Sequence, residues 1–256
     1  MRVHEEAEPD GQRRLVGLVT QALRDFFAVE DVVASHAWLG GLYGVQAGTA
    51  LARTTATGRK GLLTRAAFHL HGAHSAHMPL PHRGYNIKVT MLCGTVGAFP
   101  DGIDVSLPAN APDSMTSRQY YSVLTDRPAC ASCHRDMNPY GYALSAFTVT
   151  GKRITTERTM HKVSKAFVDL PVDESASVPL YGASVSVAGA SELSEAIGRS
   201  KEGMACFAYR FNQFAVGWKE EPHCGVAAAY KTLSQGSGKL EDAIIAYVTS
   251  SAFRRR

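Results

Sequence analysis

Residues 130–144 read CASCHRDMNPYGYAL. Two residues separate Cys130 from Cys133, and His134 follows the second cysteine without a gap. Covalent haem needs two thiols at a short fixed separation to add across its two vinyl groups, with an adjacent imidazole to reach the iron from one face. A structural zinc needs a second ligand pair; Cys206 and Cys224 could offer one, although they lack the spacing of a zinc knuckle. A thioredoxin-type dithiol follows a strand and opens a helix within a βαβ unit, and no such pattern surrounds this motif. A histidine directly after the second cysteine is required by the first chemistry and incidental to the others. Haem is therefore the leading expectation, with zinc and a redox or inert thiol pair as the alternatives.

The rest of the composition narrows the setting. A chain of 256 residues can build one large core or two small ones. With 45% hydrophobic and 20% charged residues it reads as globular, and a net charge of +4 spread along the chain makes no case for nucleic acid. The terminal run Arg254, Arg255, Arg256 reads as a solvated end. The most apolar stretch, VVASHAWLGGLYGV, is interrupted by His36, Gly40 and Gly41, so no membrane span is expected. The start, MRVHEEAEPDGQRR, is acidic and polar and lacks the apolar h-region of a signal peptide. Taken literally, the chain is cytoplasmic or lacks its true beginning.

Apolar periodicity predicts a helix over residues 12–28 and a short one carrying Val33, Trp38, Leu39 and Leu42. From about Thr54 to Pro128, glycines and prolines punctuate short segments, so this middle reads as loop-rich; NIKVTMLC within it fits a strand or a helix. Residues 151–190 read as extended or irregular. Helices then return, one with Ser191 as N-cap, one bearing Met204, Phe207, Ala208, Phe211, Phe214 and Ala215, and a last one bearing Leu240, Ile244, Ile245 and Val248. The class expected is mainly α.

Three cysteines lie outside the motif. Cys206 and Cys224 flank one helix end and its turn, so a disulfide between them and a pair of reduced thiols are both open readings, while Cys93 reads as a small core residue. The run FHLHGAHSAHMPLPHRG holds His69, His71, His74, His77 and His82 without a carboxylate or cysteine, and fits a solvated loop better than a metal site. A second iron ligand could come from Met160, His161, His74, His82 or Met204. Met137 lies one turn after His134 on the same side of a helix and cannot readily cross a ring. No nucleophilic triad, phosphate loop or carboxylate pair stands out.

CASCHRDMNPYGYAL, followed by Phe147 and GKR, resembles the planctomycete cytochrome c-like domain family, in which a Cys-x-x-Cys-His motif runs into Asp/Asn-Pro-x-Gly-Phe/Tyr-Ala. The flanks AWLGGLYGV, RKGLLTRAAFHLHGAHS and MLCG, and later ACFAYRFNQFAVGW, PHC and AIIAYVTSSAFRRR, are similar to the companion domains of unknown function that accompany it. The resemblance implies the end of a preceding helical domain at 1–52, a cytochrome c-like domain at 53–155 and a mainly helical C-terminal domain at 156–256. It implies haem c on Cys130 and Cys133, with His134 as proximal ligand, and often a cysteine pair at positions like Cys206 and Cys224. It also implies one-electron transfer to a redox partner protein or an attached oxidoreductase domain, in a periplasmic or other extracytoplasmic compartment. Family members are usually longer and carry an export signal, so the chain reads as the C-terminal part of such a protein. Asn138 stands where aspartate is common. A zinc-binding or purely structural module and a peroxidase-like haem enzyme are the rival functions.

Overall fold

Pro128 at the first helical position opens the longest element near the motif, a helix that runs on through Pro139 to Tyr142. The computed structural model describes residues 31–254 except 33, 49, 71–76, 99–101, 181, 218–223 and 236–238. The helix expected over 12–28 and the candidate ligand His74 lie outside the described residues. In chain order come β1 (Asp31–Val32), α1 (Ala37–Tyr43), β2 (Ala52–Arg53), a 3-10 turn (Leu62–Thr64) and α2 (Ala66–Leu70). They are followed by α3 (Leu80–Asn86) with a π-helical turn (Ile87–Met91), α4 (Ser117–Thr125) and α5 (Pro128–Tyr142). Next are β3 (Thr156–Met160), β4 (Phe167–Pro171), β5 (Ala176–Leu180) and β6 (Ala183–Val187). The chain closes with α6 (Ala190–Arg199), α7 (Lys201–Val216), α8 (Cys224–Gln235), α9 (Leu240–Val248) and α10 (Ser251–Arg254). The described residues are mainly α, with three two-stranded antiparallel sheets. No described helix is long and apolar enough to cross a membrane.

The chain divides into two compact units. Residues 63–89 and 94–193 form the one that holds the cysteine motif. The segment expected to be extended or irregular folds here into two hairpins, β3–β4 and β5–β6. The boundary expected at 155–156 falls inside this unit because the hairpins are bonded to its helices. Glu157 accepts from the backbone N–H and hydroxyl of Ser117 at 2.8 and 2.6 Å, which satisfies an orphan donor at the start of α4. Thr116 and Gln119 close a capping box on the same helix end. Arg118 donates to the carbonyls of Asp173 and Ser175, and Tyr140 to that of Pro179. The core gathers Leu63, Leu80, Ile87, Leu144, Phe147 and Val178, all fully buried.

Arg83 is also fully buried there. Its guanidinium donates to the carbonyls of Leu144, Phe147 and Thr148 at 3.3, 2.7 and 2.9 Å. These acceptors follow the C-terminal end of α5, where a cation is favoured by the helix dipole. Burial nonetheless pushes the Arg83 pKa down to about 10.

The second unit comprises the residues before 63, residues 90–93 and those from 194 onward. Its C-terminal core is built by Ala208, Ala229, Leu233, Leu240, Ala243 and Tyr247 from α7, α8 and α9, with Met204, Phe207 and Phe211 packed against them. Tyr247 donates to Asn212 at 2.7 Å within it. The apolar stripe of α7 is narrower than its spacing suggests, since Phe214 is 86% exposed. α6 crosses the division between residues 193 and 194; it begins in the other unit at Ala190, one residue before the expected N-cap Ser191, and the Glu192 carboxylate accepts from the Ala188 N–H at 2.8 Å.

The disulfide in this unit joins Cys206 to Cys93, with Cα atoms 5.3 Å apart, and not to Cys224. Cys224 keeps a free, exposed thiol at the start of α8. The reason is the length of α7. Cys206 lies ten residues before its end at Val216, about 15 Å of helix rise, whereas Cys224 comes eight residues after that end, at the start of α8. Cys206 is buried on the side of the Thr90–Cys93 segment, its sulfur 3.4 Å from the Thr90 carbonyl oxygen.

Candidate functional site

Cys130, Cys133 and His134 stand at positions i, i+3 and i+4 of α5, so all three share one face of the helix. Each is half-buried, and both thiols are free. Farther along the same face are Met137 and Gly141, and here α3 covers the helix at backbone contact. A Cβ on Gly84 would lie 2.1 Å from the Met137 carbonyl oxygen, and one on Gly141 would lie 1.9 Å from that of Leu80. The face is thus sealed in its C-terminal half and reachable in the half that carries the sulfurs. Lys88 of the π-helical turn pairs with Asp136 at 3.6 Å. Gly97 passes beside the motif: a Cβ there would meet the Cys133 sulfur at 3.8 Å.

The His134 ring is held from one side. Its Nδ1 lies 2.9 Å from Oδ1 of Asn138, one turn along. The orientation of the Asn138 amide follows from its other partners. The Thr125 hydroxyl donates to the Tyr121 carbonyl at 2.6 Å, so it must accept from Asn138, whose Nδ2 lies 2.8 Å away. The same Nδ2 donates to the Tyr142 hydroxyl at 3.0 Å. Oδ1 therefore faces His134, and an amide oxygen can only accept, so Nδ1 carries the proton. In the neutral ring that leaves the lone pair on Nε2. Among the described residues no hydrogen bond to Nε2 is formed.

The other residues singled out in the sequence have different surroundings. Tyr140, Leu144 and Phe147, which follow the motif, are buried in the core, and Tyr142 belongs to the Asn138 network. Met137 is buried under α3. Among the candidate second ligands, Met160 is exposed on β3 opposite Phe167, and His161 approaches Asp113 at 3.9 Å and accepts from the Ser164 N–H. His82 stacks with Tyr85 on α3, and Met204 packs in the core of the other unit. The histidine-rich run is divided among separate packing sites: His69 stacks on Phe147 and His77 on Tyr120, while His71 lies outside the described residues. No group of three or more His, Cys, Asp or Glu is gathered into metal-ligating range among the described residues. Cys206, needed for a four-cysteine zinc set, has its sulfur bonded to Cys93.

The donor chemistry fits a covalently held haem: two reachable thiols three positions apart and, on the same face, an imidazole whose Nε2 is left to ligate. Sequence reasoning missed Asn138 and Thr125 as parts of the site. Asn138 was legible in principle, because it stands four residues after His134, but Thr125 reaches the network from another helix.

Residues 59–157, which include the whole motif, match the model of a family described as PSCyt3, a protein of unknown function (DUF1588). This span is less than half of the chain. No curated protein and no solved structure matches it.

Proposed function

We propose that the protein is a c-type haem-binding, electron-transfer module of a larger exported protein. The observation that carries this reading is the common face of α5, where two free thiols precede an imidazole whose Nδ1 is already engaged. Cys130 and Cys133 would hold the group through their free thiols, as two thioethers. His134 supplies Nε2 as the proximal ligand. When bound, haem contributes a reversible one-electron couple. The residues around it orient the ligand and exclude competing donors, and the electron passes to a redox partner protein or an attached oxidoreductase domain. The match to PSCyt3 supports a cytochrome c-like helical module around the motif.

Two sets of cysteines support an extracytoplasmic compartment. Thioether attachment takes place outside the cytoplasm, and the Cys93–Cys206 disulfide is a bond of oxidising compartments. Both support a periplasmic or other extracytoplasmic site.

The test is expression with haem-maturation machinery, followed by denaturing electrophoresis and haem staining. The chain is expected to keep haem through denaturation, and Cys130→Ala with Cys133→Ala to lose all of it. Covalent haem retained by the double variant overturns the assignment. Carbon monoxide binding by the reduced form then reports whether a second protein ligand is present.

A further inference from the structure

We propose that Asn138 is the positioning residue of this site, fixing His134 in the Nδ1–H tautomer so that Nε2 is the ligating nitrogen; this rests on the haem reading above. The argument begins at Thr125 and proceeds one proton at a time. The Thr125 hydroxyl has one proton, and the Tyr121 carbonyl takes it at 2.6 Å. What remains on that oxygen is a lone pair, which accepts from Nδ2 of Asn138. The Tyr142 hydroxyl accepts the second Nδ2 proton and is itself bonded to Ser122 at 3.2 Å, with the Arg118 guanidinium lying 5.0 Å from its ring centroid. Both amide protons being engaged, Oδ1 has one orientation, toward His134. Asn138 is buried, with 4% exposure, so water does not compete freely for that oxygen.

The choice of a neutral acceptor has a consequence for the metal. An amide oxygen holds the Nδ1 proton without drawing it away, whereas a carboxylate in its place would give the ring imidazolate character and make Nε2 a stronger donor. Asn138 thus sets both which nitrogen ligates and how basic it is. Thr125 acts one step farther back, by keeping the amide from turning over.

The test uses the full chain and two independent readouts. Nitrogen-15 NMR of the haem-free chain, at mildly alkaline pH where an imidazole is neutral, is expected to show His134 as the Nδ1–H tautomer. Asn138→Asp gives up the two amide donations to Thr125 and Tyr142 but keeps an acceptor for the Nδ1 proton, and is expected to retain that tautomer. Asn138→Ala and the isosteric Thr125→Val lower the Nδ1–H to Nε2–H ratio by about tenfold, as expected for loss of one hydrogen bond. In the haem-loaded chain the reduction potential is expected to be lowest for Asn138→Asp, intermediate for the unaltered protein, and highest for Asn138→Ala. A Nε2–H tautomer in the unaltered chain, a ratio unmoved by both Asn138→Ala and Thr125→Val, or equal potentials across the series overturns the proposal. Absence of covalent haem from the unaltered chain refutes the haem reading alone, and the NMR result still decides the role of Asn138.

Discussion

Gly84 of α3 and Gly141 of α5 meet without side chains between them: a Cβ on Gly141 would lie 3.3 Å from the Gly84 nitrogen and 1.9 Å from the Leu80 carbonyl oxygen. Neither obstacle is a flexible side chain, so a methyl group at either position must push the two helices apart. Gly141→Ala and Gly84→Ala are each expected to destabilise the protein by about 3 kcal/mol or more, at the upper end of overpacking. The two act on one contact, so the double substitution should cost less than the sum. Urea denaturation midpoints measure both effects, and a midpoint unchanged in Gly141→Ala would contradict the backbone contact.

That contact also shows what the sequence could and could not reveal. The helix carrying the motif was legible, because Pro128 suits a first turn and Cys130, Cys133 and His134 repeat at helical spacing. Gly84 reads in sequence as punctuation in a loop-rich middle, although glycine inside a helix can equally mark a close crossing, and only the partner helix decides. The alternation of β3 and β4 is weak because neither face of that hairpin is buried, so its sequence carries no apolar face to mark residues 156–171 as strands. The cysteine pairing failed on distance along a helix: nearness in sequence gave Cys224, whereas Cys206 faces a segment 113 residues earlier.

Arg83 should tolerate no replacement. Arg83→Met leaves the carbonyls of Leu144, Phe147 and Thr148 without its three bonds, and a loss of about 3 kcal/mol or more is expected. Arg83→Lys retains the charge but not the fork that spans separate acceptors, so it should recover only part of that loss. Equal stability of Arg83→Lys and the unaltered protein in urea titration would show that the charge, and not the fork, matters.

Acid stability carries a term of unusual sign at Glu174. Burial pushes its carboxyl above the ordinary value near 4.5, and the Arg153 guanidinium, to which it is paired, only partly opposes this. Between that ordinary value and the raised one, the folded state binds more protons than the unfolded state, so this group's contribution to stability falls as pH rises. Asp173 beside it behaves oppositely, its pKa lowered first by the Ser175 hydroxyl, so its contribution is lost as pH falls. Unfolding free energies of the unaltered protein and Glu174→Gln, compared from about pH 4 to about pH 7, should show an advantage of the unaltered protein that shrinks on going up. A constant or growing advantage contradicts the raised pKa.

The Cys93–Cys206 disulfide closes a loop with a sequence separation of 113, and that loop contains the whole of α5. Cross-linking across so long a stretch removes much of the freedom of the unfolded chain, roughly 4 to 5 kcal/mol in the loop-entropy account, with measured losses on removal of about 2 to 5 kcal/mol. Cys93→Ser with Cys206→Ser should therefore lower stability within that range, while Cys224→Ser, which alters an exposed thiol, should change it by less than about 0.5 kcal/mol. Peptide mapping without reductant should recover a peptide joining residues 93 and 206 and leave Cys224 open to alkylation. The double variant also tests whether the bond serves the haem site through folding alone. If attachment to Cys130 and Cys133 requires only the local face of α5, covalent haem should persist in the double variant at temperatures where it remains folded. Recovery of a Cys206–Cys224 peptide from the native protein would reverse the pairing and remove the long loop from which the stability estimate derives.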